Sequence, residues 1–100
     1  MSLFELGRVV MTSGIKDLIE MDGSFHTFIH DCLRRHSEGD WGEQCDEDIE
    51  LNEEALVARM EGRECMNSIM SVYSKEGYEI WIITEWDGSV TTILLPEEYV

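Results

Sequence analysis

Residues 38–54 hold the densest run of ionisable side chains in the sequence: Glu38, Asp40, Glu43, Asp46, Glu47, Asp48, Glu50, Glu53 and Glu54, with no Lys or Arg between Arg35 and Arg59. On a helix, Asp46, Glu50 and Glu54 recur every fourth residue and form one stripe, with Glu43, Glu47 and Glu53 beside it. One helical turn rises about 5.4 Å, the same order as the spacing of phosphates along a DNA strand. A helix bearing these carboxylates can therefore imitate a phosphate backbone toward a protein that binds nucleic acid. The plainer reading is a solvated helix face, which is what most charge runs are. Against it, each like-charged pair one turn apart destabilises the helix by roughly a few tenths of a kcal/mol, so several together suggest a use.

Other chemistries are less well supported. Asp46, Asp48 and Glu50 alternate like the first ligands of a calcium loop, but the sixth position is Leu51 instead of Gly and the twelfth is Val57 instead of Glu. His26 and His30 stand one turn apart, a spacing that can hold zinc, and His36, Cys45 and Cys65 are further donors. Thr27 occupies the second position of what would be an H-E-x-x-H motif, and no ligand spacing is diagnostic. Neither a metal nor any other cofactor is expected. Cys32 lies on an apolar helical stripe and reads as core, while Cys45 sits among carboxylates with no base beside it. No glycine-rich phosphate loop is present, so the chain reads as non-enzymatic. Trp41 and Trp86 lie beside acidic residues, as interface anchors often do. Trp86 is expected to be partly exposed, and Trp81 can face the core or the far side of a sheet.

The whole composition points the same way. The chain has 100 residues, with 22 Asp and Glu against 7 Lys and Arg, for a formal net charge of −15. Such a charge repels nucleic acid and anionic membrane and attracts basic protein surfaces. Length and an apolar share of 43% fit one domain spanning 1–100. The three cysteines form no C-x-x-C pair, the first residues lack a basic start and a long apolar run, and no stretch is apolar enough to span a membrane. A cytoplasmic location with reduced thiols is expected.

The elements that must position these residues follow from periodicity. Val9, Val10 and Met11 can form a short strand. Ser13 is placed to cap a short helix ending at Glu20. Ser24 is placed to cap a second helix to His36, with Phe25, Phe28, Ile29, Cys32 and Leu33 on one stripe. A third helix over 46–61 turns Ile49, Asn52, Leu56 and Met60 inward, with Gly62 ending it. Strands follow over 68–74, 79–85 and 89–95, joined by a turn at Glu76-Gly77 and a two-residue hairpin at Asp87-Gly88. The predicted fold is α+β: about three helices, then a three-stranded antiparallel meander, with an additional N-terminal strand.

The motifs His36-x-x-Gly39-Asp40-Trp41-Gly42, Asp46-Glu47-Asp48-x-x-x-Asn52-Glu53-x-Ala55-Leu56, Ile80-Trp81-Ile82-Ile83-Thr84-Glu85 and 89–99 resemble a family of short acidic proteins carried by plasmids, phages and integrative elements. The likeness spans residues 9–99. The chain departs from the family pattern over 63–74 and at Gly88, where an Arg is common. The resemblance implies a mobile-element origin and supplies no catalytic residues. Mobile elements encode small acidic inhibitors of host defence, of antirestriction and anti-CRISPR type, some of which imitate DNA.

Taken together, these features give the expectation of a protein that binds the basic surface of a host nucleic-acid-binding defence protein. It would act as a monomer or homodimer, without binding nucleic acid or membrane itself. The contact set is Glu43, Asp46, Glu47, Glu50, Glu53 and Glu54, with Trp41 and Trp86 as anchors. The alternative is a regulatory or accessory interaction module acting through its sheet and exposed aromatics. A small nuclease is disfavoured because Lys75 is the only base after Arg63.

Overall fold

The structure is a computed structural model and describes residues 2–99. In chain order the elements are β1 (Arg8–Met11), α1 (Ser13–Met21), α2 (Ser24–Ser37), α3 (Asp46–Met60), β2 (Ile69–Lys75), β3 (Tyr78–Thr84), β4 (Val90–Leu94) and a 3-10 turn at Pro96–Glu98. The class is α+β. The sheet order is β1-β4-β3-β2. The last three strands pair antiparallel in sequence order, but the sheet as a whole is mixed, because β1 lies parallel to β4. That correction to the expected antiparallel sheet has a local cause. The Arg8 N–H donates to the Ser89 carbonyl and the Thr12 N–H to the Ile93 carbonyl, which aligns β1 with β4 from its first residue. Gly7 permits the approach: at its φ of 64°, a Cβ would lie 2.3 Å from the Gly88 and Ser89 carbonyl oxygens.

Alternation along the strands sets the core. Ile69, Ser71 and Tyr73, then Ile80, Ile82 and Thr84, then Thr91 and Ile93 point to the helices and are all buried. One apolar cluster joins Ile15 and Leu18 of α1 with Phe25, Ile29 and Cys32 of α2 over Tyr73, Ile80, Ile82 and Ile93. A second joins Phe4 and Trp41 with Ala55, Leu56 and Ile69 under α3. Burial pushes the Cys32 thiol up to about 12. Trp81 faces away from the helices, level with Val72 and Leu94 and edge-on to Tyr99.

The helix ends differ from the expected caps by one residue. Thr12 and Gly23 hold the N-cap positions, so Ser13 and Ser24 are the first helical residues. The start of α1 is held from the other end of the chain: the Glu98 carboxylate accepts from the Thr12 hydroxyl at 2.5 Å and from the Gly14 N–H at 2.9 Å. α3 ends in a left-handed turn. Gly62, at φ 71°, donates to the Arg59 carbonyl, and the Arg63 N–H donates to that of Ala58. Met60, expected inward, is 64% exposed in the last turn before this reversal. The β3–β4 connection is longer than a two-residue hairpin. Glu85 donates to Val90 across a four-residue loop, in which the Asp87 carboxylate accepts from the amide and hydroxyl of Ser89.

Two devices place α3. The Asn52 side chain acts as a strand neighbour of Met70: its amide donates to the Met70 carbonyl at 2.6 Å and its oxygen accepts the Met70 N–H at 3.1 Å. Next to it, Val72 donates to the Trp41 carbonyl and accepts from the Glu43 N–H. Gly42 makes this approach possible, since a Cβ there would meet the Val72 carbonyl oxygen at 2.0 Å. The outer edge of β2 is thereby occupied by its own chain.

A buried polar chain crosses beneath. His36 Nδ1 lies 2.5 Å from Ser71 Oγ and Nε2 lies 2.9 Å from Thr84 Oγ1. Thr84 Oγ1 lies 2.7 Å from Thr91 Oγ1, and the Thr91 hydroxyl donates to the Leu6 carbonyl. Because Thr91 spends its proton on Leu6, Thr84 must donate to Thr91, His36 Nε2–H must donate to Thr84, and Ser71 must donate to His36 Nδ1. His36 is fully buried and neutral; burial, with the Arg59 charge adding, holds it down to about 3 from its ordinary 6.5.

Replacing Asn52 by Ala strands the Met70 amide and carbonyl and lowers unfolding free energy by about 2 kcal/mol in urea. For His36, the unfolded chain takes up the proton first, so stability is full above pH 6.5 and falls as pH drops toward 3. Between pH 7.5 and 5, denaturation should show a loss of about 2 kcal/mol relative to the same measurement on His36→Gln.

Candidate functional site

α3 forms because its residues suit both ends of a helix. Asp46, Glu47 and Asp48 occupy the first turn, where carboxylates meet the positive dipole end, and Arg59 lies in the last. Asn52, Ala55, Leu56 and Ala58 are buried against the body of the protein. The small alanines bring the helix close to Phe4 and Ile69. The opposite face is left to the acids Asp46, Glu47, Glu50, Glu53 and Glu54, all exposed, while Asp48 is exposed on the side of Asn52 and Met70.

Glu50 is the centre of this face. Asp46 and Glu47 lie one turn before it and Glu53 and Glu54 one turn after it, so all four of its helical neighbours carry like charge. Among the described residues, no ion pair reaches any acid of α3. Three of the five arginines are engaged by other acids, Arg34 by Asp31 and Glu38, Arg35 by Asp40, and Arg63 by Glu61, and Arg59 bonds backbone carbonyls. The field of the α3 acids is therefore not neutralised at contact range.

Trp41 is not at the surface. It is 4% exposed, packs at ring-centroid distances of 6.2 Å from Phe4 and 5.9 Å from His36, and donates its indole N–H to Glu53 at 2.8 Å. The expected anchor is thus a core residue. Its parallel bridge partner, β2, draws segment 41–43 into the sheet and buries the ring. Glu53 keeps an exposed carboxylate but also serves the Trp41 N–H. Glu43 stands off the helix and accepts from the Ser74 hydroxyl. The structure gathers Asp46, Glu47, Glu50, Glu53 and Glu54 on one helix and sets Glu43 beside the edge of β2.

Apolar residues interrupt the acids. Val57, 43% exposed, continues the Asp46–Glu50–Glu53 stripe by one more turn, and Leu51 is 51% exposed on its flank. Val57 also lines an open groove of about 450 Å³, with Glu50, Glu53 and Glu54 on one wall and Arg63 and Cys65 on the other. Sequence reasoning missed Val57, although its position four residues after Glu53 marks the stripe.

Trp86 lies apart from α3 in the β3–β4 loop and is 48% exposed. It lines a separate cleft of about 730 Å³ with Phe4, Leu6, Gly7, Asp87 and Arg59. Arg59 donates to the Asn67 and Glu85 carbonyls, and burial pulls its guanidinium below the ordinary value. These partners lie 8 and 26 residues away, so no local pattern marks them.

His26 and His30 stack on the exposed side of α2 with ring centroids 4.6 Å apart, whereas His36 is committed to the buried relay. Among the described residues, no three His, Cys, Asp or Glu side chains converge as a metal site, and no helix is long and apolar enough to cross a membrane. Ser71 and His36 are in contact but fully buried, so that pair meets no substrate. Comparisons with protein families, curated proteins and solved structures find no match to this chain.

The crowding around Glu50 has a measurable consequence. Glu50→Gln relieves four like-charge contacts without touching a buried group, and should raise stability by about 1 kcal/mol at low salt. Added salt screens the same repulsion, so the gain over the parent shrinks as ionic strength rises in a thermal melt.

Proposed function

We propose that this protein is a non-enzymatic, acidic binding protein of a mobile genetic element, which places the outer face of α3 in the nucleic-acid groove of a host defence protein. The observation that carries this reading is the set of exposed α3 carboxylates, Asp46, Glu47, Glu50 and Glu54, with no cation paired to them among the described residues. An unpaired acidic face costs helix stability, and a basic groove is the partner that offsets this cost. Exposed Val57 within the face adds apolar contact that a purely solvated helix does not need. The resemblance to short acidic mobile-element proteins supports the setting, in which an inhibitor of antirestriction or anti-CRISPR type acts in the cytoplasm by competing with nucleic acid. Charge steers the encounter, and salt weakens it.

A second reading is favoured by a different observation. Trp86 is exposed, and Val10, Met70, Val72 and Trp81 are only half buried on the sheet face that no helix covers. An accessory module of the element could bind its partner there.

The two readings separate in one experiment. Cells carrying a restriction or CRISPR system are challenged with phage while expressing the parent, Glu47→Lys/Glu50→Lys/Glu54→Lys, or Trp86→Ala. The α3 reading expects the parent to raise plating efficiency, the triple variant to lose that effect while keeping its circular dichroism spectrum, and Trp86→Ala to retain it. Undiminished protection by the triple variant rules out the mimic. Loss of protection in Trp86→Ala alone assigns the function to the sheet.

A further inference from the structure

The two edges of the sheet are treated differently by the chain. At β2, the outward groups of Met70 and Val72 are bonded to Asn52 and to segment 41–43. At β1, the Arg8 and Thr12 N–H groups donate inward to β4. Strand alternation then points the N–H and C=O of Val9 and Met11 outward, and no described residue bonds them. Val9 is 41% and Met11 37% exposed, large values for apolar strand residues. Their side chains, with Ile19, Ile29, Leu33 and Ile93, wall a largely apolar groove of about 170 Å³ beneath α2, with His26 and His30 at its edge.

We infer that this edge is a homodimer interface, in which β1 pairs antiparallel with β1 of a second copy to form one continuous sheet. The edge is self-complementary. With a twofold axis through Val10, Val9 faces the partner's Met11 and Met11 faces the partner's Val9. Both pairs are of the type that exchanges N–H···O bonds in each direction, so every outward group of Val9 and Met11 is satisfied at once. In the same register Arg8 faces the partner's Thr12, so no like charges meet along the strand. The partner's Val9 and Met11 close the open side of the apolar groove.

The charge distribution selects a second copy despite a net charge of −15. β1 contains no acid, and α3, the helix that carries six of the 22 acids, packs on β2, at the far edge of the sheet. In a joined sheet the two β2 strands lie about 34 Å apart, at about 4.8 Å per strand, against a screening length of about 10 Å at 0.1 M salt. The two acidic faces point to opposite ends and hardly repel one another.

Sedimentation of the parent protein across micromolar to millimolar concentrations tests this. The expected species at high concentration has twice the chain mass of 11.6 kDa, and added salt tightens it by screening the residual repulsion. Binding through α3 responds to salt in the opposite sense. Met11→Lys, which sets a charge into the apolar seam, should weaken dimerisation about tenfold or more, the equivalent of 1.4 kcal/mol. Val9→Pro removes an N–H that the monomer does not use and should give a monomer. Where a variant fails to fold, amide exchange of the parent decides: the Val9 and Met11 amides should gain protection with concentration. A parent that stays monomeric throughout overturns the interface, as does protection of those amides only on adding a peptide from another protein.

Discussion

Four protons borne by hydroxyl and imidazole groups, each with one place to go, hold the last turn of α2 against the sheet. Ser71 donates to His36, His36 to Thr84, Thr84 to Thr91 and Thr91 to the Leu6 carbonyl. The relay ties together β2, α2, β3, β4 and the segment before β1, which no apolar contact does alone. It is directional, so reversing any one bond leaves another pair without a proton. It also requires a neutral imidazole, which the surrounding Phe4 and Trp41 rings favour by excluding water. The position of Trp41, and with it the path of the chain into α3, depends on that packing.

The acidic face therefore sits on a rigid support. Asn52 fixes α3 to the edge of β2, Ala55 and Leu56 seat it on the second cluster, and Glu53 is held by the Trp41 indole. Charges that repel one another would favour fraying of a free helix. Here tertiary contacts on the inner face offset that tendency, so the carboxylates are presented in a fixed array.

Much of this was legible in the sequence where the cause was local. The stripe Phe25–Ile29–Cys32 located α2, the acids of the first turn and Gly62 bounded α3, and Glu76-Gly77 marked the β2–β3 turn, where both residues have positive φ. What was missed depends on distant partners. The burial of Trp41 needs the bridge between Gly42 and Val72, 30 residues on. Asn52 looked like one inward residue among several and is in fact a strand mimic. His36 appeared beside His26 and His30 as a donor, and only the placement of Ser71 and Thr84 commits it to the core. The direction of β1 depends on Gly7 meeting the Gly88–Ser89 backbone, a contact between opposite ends of the chain. Among the candidate site residues, the acids could be read from their spacing, whereas the exposure of an aromatic could not.

The side-chain amide of Asn52 has a consequence beyond stability. Strands that expose both edges can stack without limit, which is how native folds are recruited into fibrils. By filling the middle of the β2 edge with its own side chain and with segment 41–43, this chain leaves the sheet only one direction in which to grow. A second copy that joins at β1 brings its own occupied β2 edge and ends the sheet. Asn52 and segment 41–43 thus act together as a terminator for self-assembly, and guard an acidic protein near its isoelectric point of about 4.3, where its net charge vanishes.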